Sequence, residues 1–190
     1  GIYFKSDKED FYFKKFEWDE LTKLSGLVHV SEGLYIGNTD VATIAPIAHV
    51  TGMHTLYLKG NKIQNIPELA AAQTLKKLDV SRNFLTSFDF LELLPQLEEL
   101  YLGDSAEPTL ETNEIGVLAG LEKYTNLKKI DLSGLPLHKF QVEDLKAKMP
   151  GTEIAFSSGA RSPYLPTLST GTFTKNEQRA ILSGYVVDCG

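Results

Sequence analysis

LKKLDVSRNFLTSF, residues 75 to 88, carries leucine at Leu75, Leu78 and Leu85, Val80 between them, asparagine at Asn83 and an aromatic at Phe88. Twenty-two positions earlier the frame returns as Met53, Leu56, Leu58, Asn61, Ile63 and Ile66. Another 22 back it reads Ser31, Leu34, Ile36, Thr39, Val41 and Ile44. Forward it continues as Leu97, Leu100 and Leu102, and later as Leu127, Ile130, Leu132, Leu135, Leu137 and Phe140. A fixed period of this length, in the form L-x-x-L-x-L-x-x-N-x-L, marks a chain built from stacked units. The L-x-L segment of each unit reads as a strand whose alternate residues face opposite sides. Leu56 with Leu58, Leu78 with Val80, and Leu100 with Leu102 then point inward, each worth about 1.5–3 kcal/mol once buried. One unit alone has nothing to bury them against, so the units must stack.

Asn61 and Asn83 fall where the chain turns away from the strand, and their amides suit the backbone groups of that turn. Thr39, then Ser105 or Asn113, then Leu135 stand at or near this place in the other units. The polar ladder therefore thins at both ends. Five units from about residue 31 to residue 149 resemble the leucine-rich repeat superfamily, specifically its 22-residue class. That class includes the repeat regulator of protein phosphatase 1 and the bacterial internalins. The resemblance implies an α/β solenoid: a parallel β-sheet on the concave face, short helices or 3₁₀ turns on the convex face, and caps at both ends. It carries no contact residues with it, and no residue here matches a phosphatase-binding feature.

The expected organisation is an aromatic-rich N-terminal cap over 1–30, a solenoid of five repeats and a closing strand over 31–156, and a C-terminal capping segment with a short helix over 157–190. In the first of these, Tyr3, Phe4, Phe11, Tyr12, Phe13, Phe16 and Trp18 crowd together. Aromatic cover over an open end is what a solenoid needs, and a binding patch is the other use of such rings. IYF and FYFKKF fit a hairpin, or FYFKKF joins a helix running from Trp18 to Gly26. In the second unit Ile66, Leu69, Ala72 and Leu75 recur every three positions, as in a 3₁₀ turn. Leu100 to Ile130 spans 30 positions, eight more than the period, and matching backwards from Leu127 to Asn113 places the surplus at 103–112. Insertions in repeat proteins map to loops on one face, and this one carries Asp104, Glu107 and Glu111 around Pro108. Ile154 and Phe156 alternate correctly for a last strand, and Thr174 with Glu177 forms a capping box opening a helix that stops at Gly184.

Length, 42% hydrophobic and 23% charged residues describe an ordinary globular chain of one domain. A net charge of −6, with lysines interleaved among acids, argues against nucleic acid. No stretch approaches the 18 apolar residues of a membrane span. A single cysteine, Cys189, excludes an internal disulfide and leans towards a reducing, cytoplasmic setting, while a processed start at Gly1 leaves secretion open. Four scattered histidines make no metal motif, and there is no phosphate loop and no G-x-S-x-G. Neither enzyme activity nor a cofactor is expected.

The function expected is a non-enzymatic, monomeric module recognising a protein through its concave face. The central outward column is Tyr35, Tyr57, Asp79, Tyr101 and Asp131. The column before it is Gly33, Thr55, Lys77, Glu99 and Lys129, and the column after it is Gly37, Lys59, Ser81, Gly103 and Ser133. Exposed tyrosines give large, rigid contact area with a polar tip. Gly33, Gly37 and Gly103 are expected to leave room for a partner, and Asp79 and Asp131 to pair locally with Lys77 and Lys129. The binding residues expected are thus Tyr35, Tyr57, Asp79, Tyr101, Asp131, Lys59, Lys77 and Glu99, with Asp104 and Glu107 on the lip. A secreted or cell-surface bacterial protein binding a host or glycan ligand is the first alternative. A scaffold or inhibitor acting through its terminal caps is the second.

Overall fold

The computed structural model describes residues 26–110 and 112–159, and the backbone of 2–5 and 10–13. Apart from Gly26, the expected helices at 18–26 and 174–184 lie outside the described residues, as does the expected C-terminal capping segment beyond residue 159. Each repeat contributes one short strand: β3 (Gly33–Ile36), β4 (Thr55–Tyr57), β5 (Lys77–Asp79), β6 (Glu99–Tyr101), β7 (Lys129–Asp131) and the closing β8 (Glu153–Ala155). They pair in parallel, in chain order. The register aligns Leu34, Leu56, Leu78, Leu100, Ile130 and Ile154 in one row. All six are buried, so the period of the sequence is one turn of the coil.

Two further strands, β1 (Ile2–Lys5) and β2 (Asp10–Phe13), form an antiparallel hairpin, and β1 adds antiparallel to β3. The sheet therefore runs β2-β1-β3-β4-β5-β6-β7-β8. This decides between the two readings of IYF and FYFKKF in favour of the hairpin.

The returning halves are 3₁₀ turns at Ala45–Ile47, Pro67–Ala71, Asp89–Leu93 and Leu121–Lys123. In the second unit Ile66, Leu69, Ala72 and Leu75 are buried at a spacing of three, the repeat of a 3₁₀ helix. Pro46 and Pro67 sit in the first turn, where their fixed φ helps and their missing N–H costs nothing. The fifth unit instead holds a full helix, α1 (Lys139–Lys148), which buries Val142 and Leu145 and whose Gln141 Oε1 accepts from the His138 N–H at 2.8 Å.

The asparagines work as expected. Asn61 Oδ1 accepts from Thr39 N, Thr39 Oγ1 and Val41 N, while its Nδ2 donates to Ile36 O and Leu58 O. Asn83 accepts from Ile63 N and donates to Leu58 O, Val80 O and Ser81 O. The next rung is Asn113, which accepts from Leu85 N and donates to Val80 O and Leu102 O, while Ser105 is exposed. The surplus residues thus precede Asn113, and each amide ties its own unit to the one before.

Candidate functional site

The strands are three or four residues long, and everything outward on them is fixed by the pleat. Register places Tyr35, Tyr57, Asp79, Tyr101 and Asp131 side by side, with Gly33, Thr55, Lys77, Glu99 and Lys129 in the next column. The three tyrosines are half-buried, not hidden. Their surroundings differ.

Tyr35 and Tyr57 form a tilted pair with ring centroids 5.9 Å apart. A Cβ on Gly33 would meet Tyr35 Cε2 at 2.9 Å, and one on Gly37 would meet Tyr57 Cε1 at 2.8 Å. The glycines therefore seat the protein's own rings and do not leave room for a partner. Gly103 gives none either, because its Cβ would sit 2.2 Å from Ser133 O. It is the point where two rungs touch. Burial, and then Asp79, raises the Tyr57 hydroxyl above its ordinary pKa, so it stays a donor.

Tyr101 belongs to a charged network. Its hydroxyl donates to Glu99 at 2.9 Å, and Lys77 Nζ lies 4.9 Å from its ring centroid and 3.0 Å from Glu99. Burial opposes the Glu99 charge, but Lys77 and the Tyr101 hydroxyl outweigh it and lower the carboxyl. Lys129 pairs with Glu153 at 2.9 Å. Behind this column runs a second ladder, with Lys76 and Lys128 both on Glu98. The expected pairing of Asp79 with Lys77 and Asp131 with Lys129 is thus replaced by pairing across strands.

The aspartates serve the turns. Asp79 Oδ1 accepts from Ser81 N and Ser81 Oγ. Burial outweighs those bonds and raises its pKa. Asp131 is buried, with Oδ1 on Ser133 N and Oδ2 on Ser105 N. It is no open contact point, because the inserted loop covers it.

That loop is a fixed wall across the strand ends. Asp104 is 7% exposed, with Oδ2 2.7 Å from Lys59 Nζ, two units back. The contact is one of charge, since the approach falls outside hydrogen-bond geometry. Burial lowers Lys59, but Asp104 outweighs it and holds the ammonium above its usual value. Glu107 pairs with Arg82 at 3.0 Å, and Thr112 Oγ1 accepts from Arg82 N. At the other end Asp104 N donates to Ser133 O, and Pro108 O lies 2.7 Å from where a Gly134 Cβ would stand. Among the ten residues expected to bind, Asp104 and Asp131 are buried, Lys59 and Glu107 are ion-paired to the loop or its seat, and Lys77, Glu99 and Tyr101 are tied to one another. Tyr35 and Tyr57 form the half-buried aromatic pair of the central column. No cluster of the described residues could hold a metal ion, and no described helix is long and apolar enough to cross a membrane.

No family model matches the sequence, and no curated protein matches it. Among solved structures it is similar to internalin C2 of Listeria monocytogenes, at a TM-score of 0.51 and 19% identity over 73% of this chain and 65% of that one. It is also similar to the internalin InlF of the same organism, at 0.50 and 17% over 80% of this chain and 49% of that one. The chain thus spans less than two thirds of each. At such identity the likeness concerns the fold, and that fold is a leucine-rich-repeat solenoid.

Proposed function

We propose that the chain is a non-enzymatic recognition module that binds a protein partner through its concave face, with Tyr35 and Tyr57 at the centre of contact. The observation that carries this reading is the tilted tyrosine pair, half-exposed on a rigid sheet and braced by Gly33 and Gly37. Side chains held this way lose little entropy on binding, which is where affinity is usually forfeited. Lys59 and Asp79 flank the pair, and Tyr101, Lys77 and Glu99 extend it on the charged side. Asp104, Glu107 and Asp131 act indirectly, by fixing the loop that walls the face. The terminal segments serve as caps in this reading.

The test uses two baits, the wild-type chain and Tyr35→Ser/Tyr57→Ser, each offered extract of the native source. The expected result is a protein retained by the first and weakened about 30-fold or more on the second, the scale of a true hot spot. A partner held equally by both would move the contact off this face.

A further inference from the structure

The hairpin extends more than the hydrogen-bond ladder. Ile2 and Phe4 are registered with Ile36 and Leu34, both in the core, while Tyr3 is registered with Tyr35. One strand further out, Phe13 and Phe11 oppose Ile2 and Phe4, and Tyr12 opposes Tyr3. Directly opposed residues share a face of a sheet. The alternation in IYFK and DFYF therefore separates into an apolar set in line with the leucine rungs and a tyrosine set in line with the concave column. Tyr12, Tyr3, Tyr35 and Tyr57 occupy four consecutive positions of one row, about 14 Å long at about 4.8 Å per strand.

We infer that the binding face begins on the N-terminal hairpin, and that this four-strand tyrosine row receives an uncharged segment of a protein partner. The inference rests on the concave-face reading above and extends it to a partner chemistry. Charge is the argument. The row holds only tyrosine, and so no Asp, Glu, Lys or Arg. The flanking column Asp10, Lys5, Gly33, Thr55 carries one acid, one base and two neutral residues. On the other side of the row Lys59 is ion-paired to Asp104, and beyond Tyr57, where the central column continues as Asp79, Lys77 is matched by Glu99 and Lys129 by Glu153. A charged partner would find no complement at the four tyrosine positions, and beside them only charges of both signs or a lysine already paired, so it would have to leave its own charge desolvated. At Tyr35 and Tyr57 an uncharged one meets ring area and hydroxyls able to donate and accept.

The probe is a display library of short randomised peptides, selected on the full chain. Affinities are then measured on wild type, Tyr57→Ser and Tyr3→Ser/Tyr12→Ser, with far-UV circular dichroism as the folding control. Peptides poor in Asp, Glu, Lys and Arg are expected, with affinity constant between about 0.05 and 0.5 M salt and reduced tenfold or more by either variant. Peptides lost only with Tyr57→Ser would overturn the extension and leave the concave reading intact. Loss with neither variant would overturn both. Charge-rich, salt-sensitive peptides, or selective retention of soluble polysaccharides where no peptide is enriched, would overturn the partner chemistry. Should the double variant fail to fold, Tyr12→Lys on the outermost strand carries the same expectation, because it puts a charge into a neutral row.

Discussion

Replacing Asn61 by alanine should be the most costly change in the asparagine ladder. Its Oδ1 serves two backbone donors, Thr39 N and Val41 N, each at 3.1 Å, as well as the Thr39 hydroxyl at 2.9 Å. Asn83 and Asn113 each serve one backbone donor, Ile63 N and Leu85 N. A buried N–H left unsatisfied costs about 1–3 kcal/mol, whereas a carbonyl that loses one of two donors gives up less. Two stranded N–H groups bring Asn61→Ala to about 4 kcal/mol, and one brings Asn83→Ala and Asn113→Ala to about 2. Urea unfolding followed by far-UV circular dichroism reads these as midpoint shifts at unchanged slope. With a slope of about 2 kcal/mol per molar, the shifts are about 2 M and about 1 M. Asn61→Asp separates acceptor from donor: it keeps the three accepted bonds but turns a carboxylate towards Ile36 O and Leu58 O. It should fall between wild type and Asn61→Ala. If Asn61→Ala cost no more than Asn83→Ala, the reasoning from stranded donors would be wrong.

Lys59→Met should destabilise by about 2 kcal/mol by leaving the Asp104 carboxylate buried and unpaired, a figure reduced from the fully buried case because Lys59 keeps some solvent. Lys59→Met/Asp104→Leu should recover most of it, and a double-mutant cycle that came out additive would remove the coupling. Gly103→Ala should cost 3 kcal/mol or more by thermal melt, roughly the upper end for overpacking, since its Cβ meets Ser133 backbone atoms that cannot swing aside. Asp79 has a folded pKa raised above its ordinary value of 3.8, so its contribution is favourable below that value and is lost as pH rises through the raised one. Asp79→Asn should therefore raise Tm at pH 7 and leave it unchanged in acid. A rise at both pH values would point to packing instead.

The inward leucines and the asparagines were legible because each occupies a position that recurs at one turn of the coil, and no other assignment buries them together. The pairing of charges was not. On one strand Lys77 and Asp79 are two residues and about 6.6 Å apart, while Glu99 on the next strand is only about 4.8 Å away. Which strand lies alongside is known only once the coil is drawn, and it gives Lys77 to Glu99. Gly33 and Gly37 misled for a related reason: a ring can lean over a residue with no side chain, on its own strand or the one before, and fill the gap. The burial of Asp104 and Asp131 depends on the route of an eight-residue surplus, which no periodic pattern encodes. The hairpin had a signal in the alternation of IYFK and DFYF, but FYFKKF taken alone also suits a helix, and only pairing with β3 decides.

Solenoids are usually treated as a row of dominoes, each able to come loose with only its neighbours noticing. The loop from Gly103 to Thr112 does not respect that rule. It holds Lys59 two units back, Arg82 one unit back, and Asp131, Ser133 and Gly134 one unit ahead. Four rungs are laced by one thread, so peeling from either end should halt at the laced block, which then melts as a single cooperative unit.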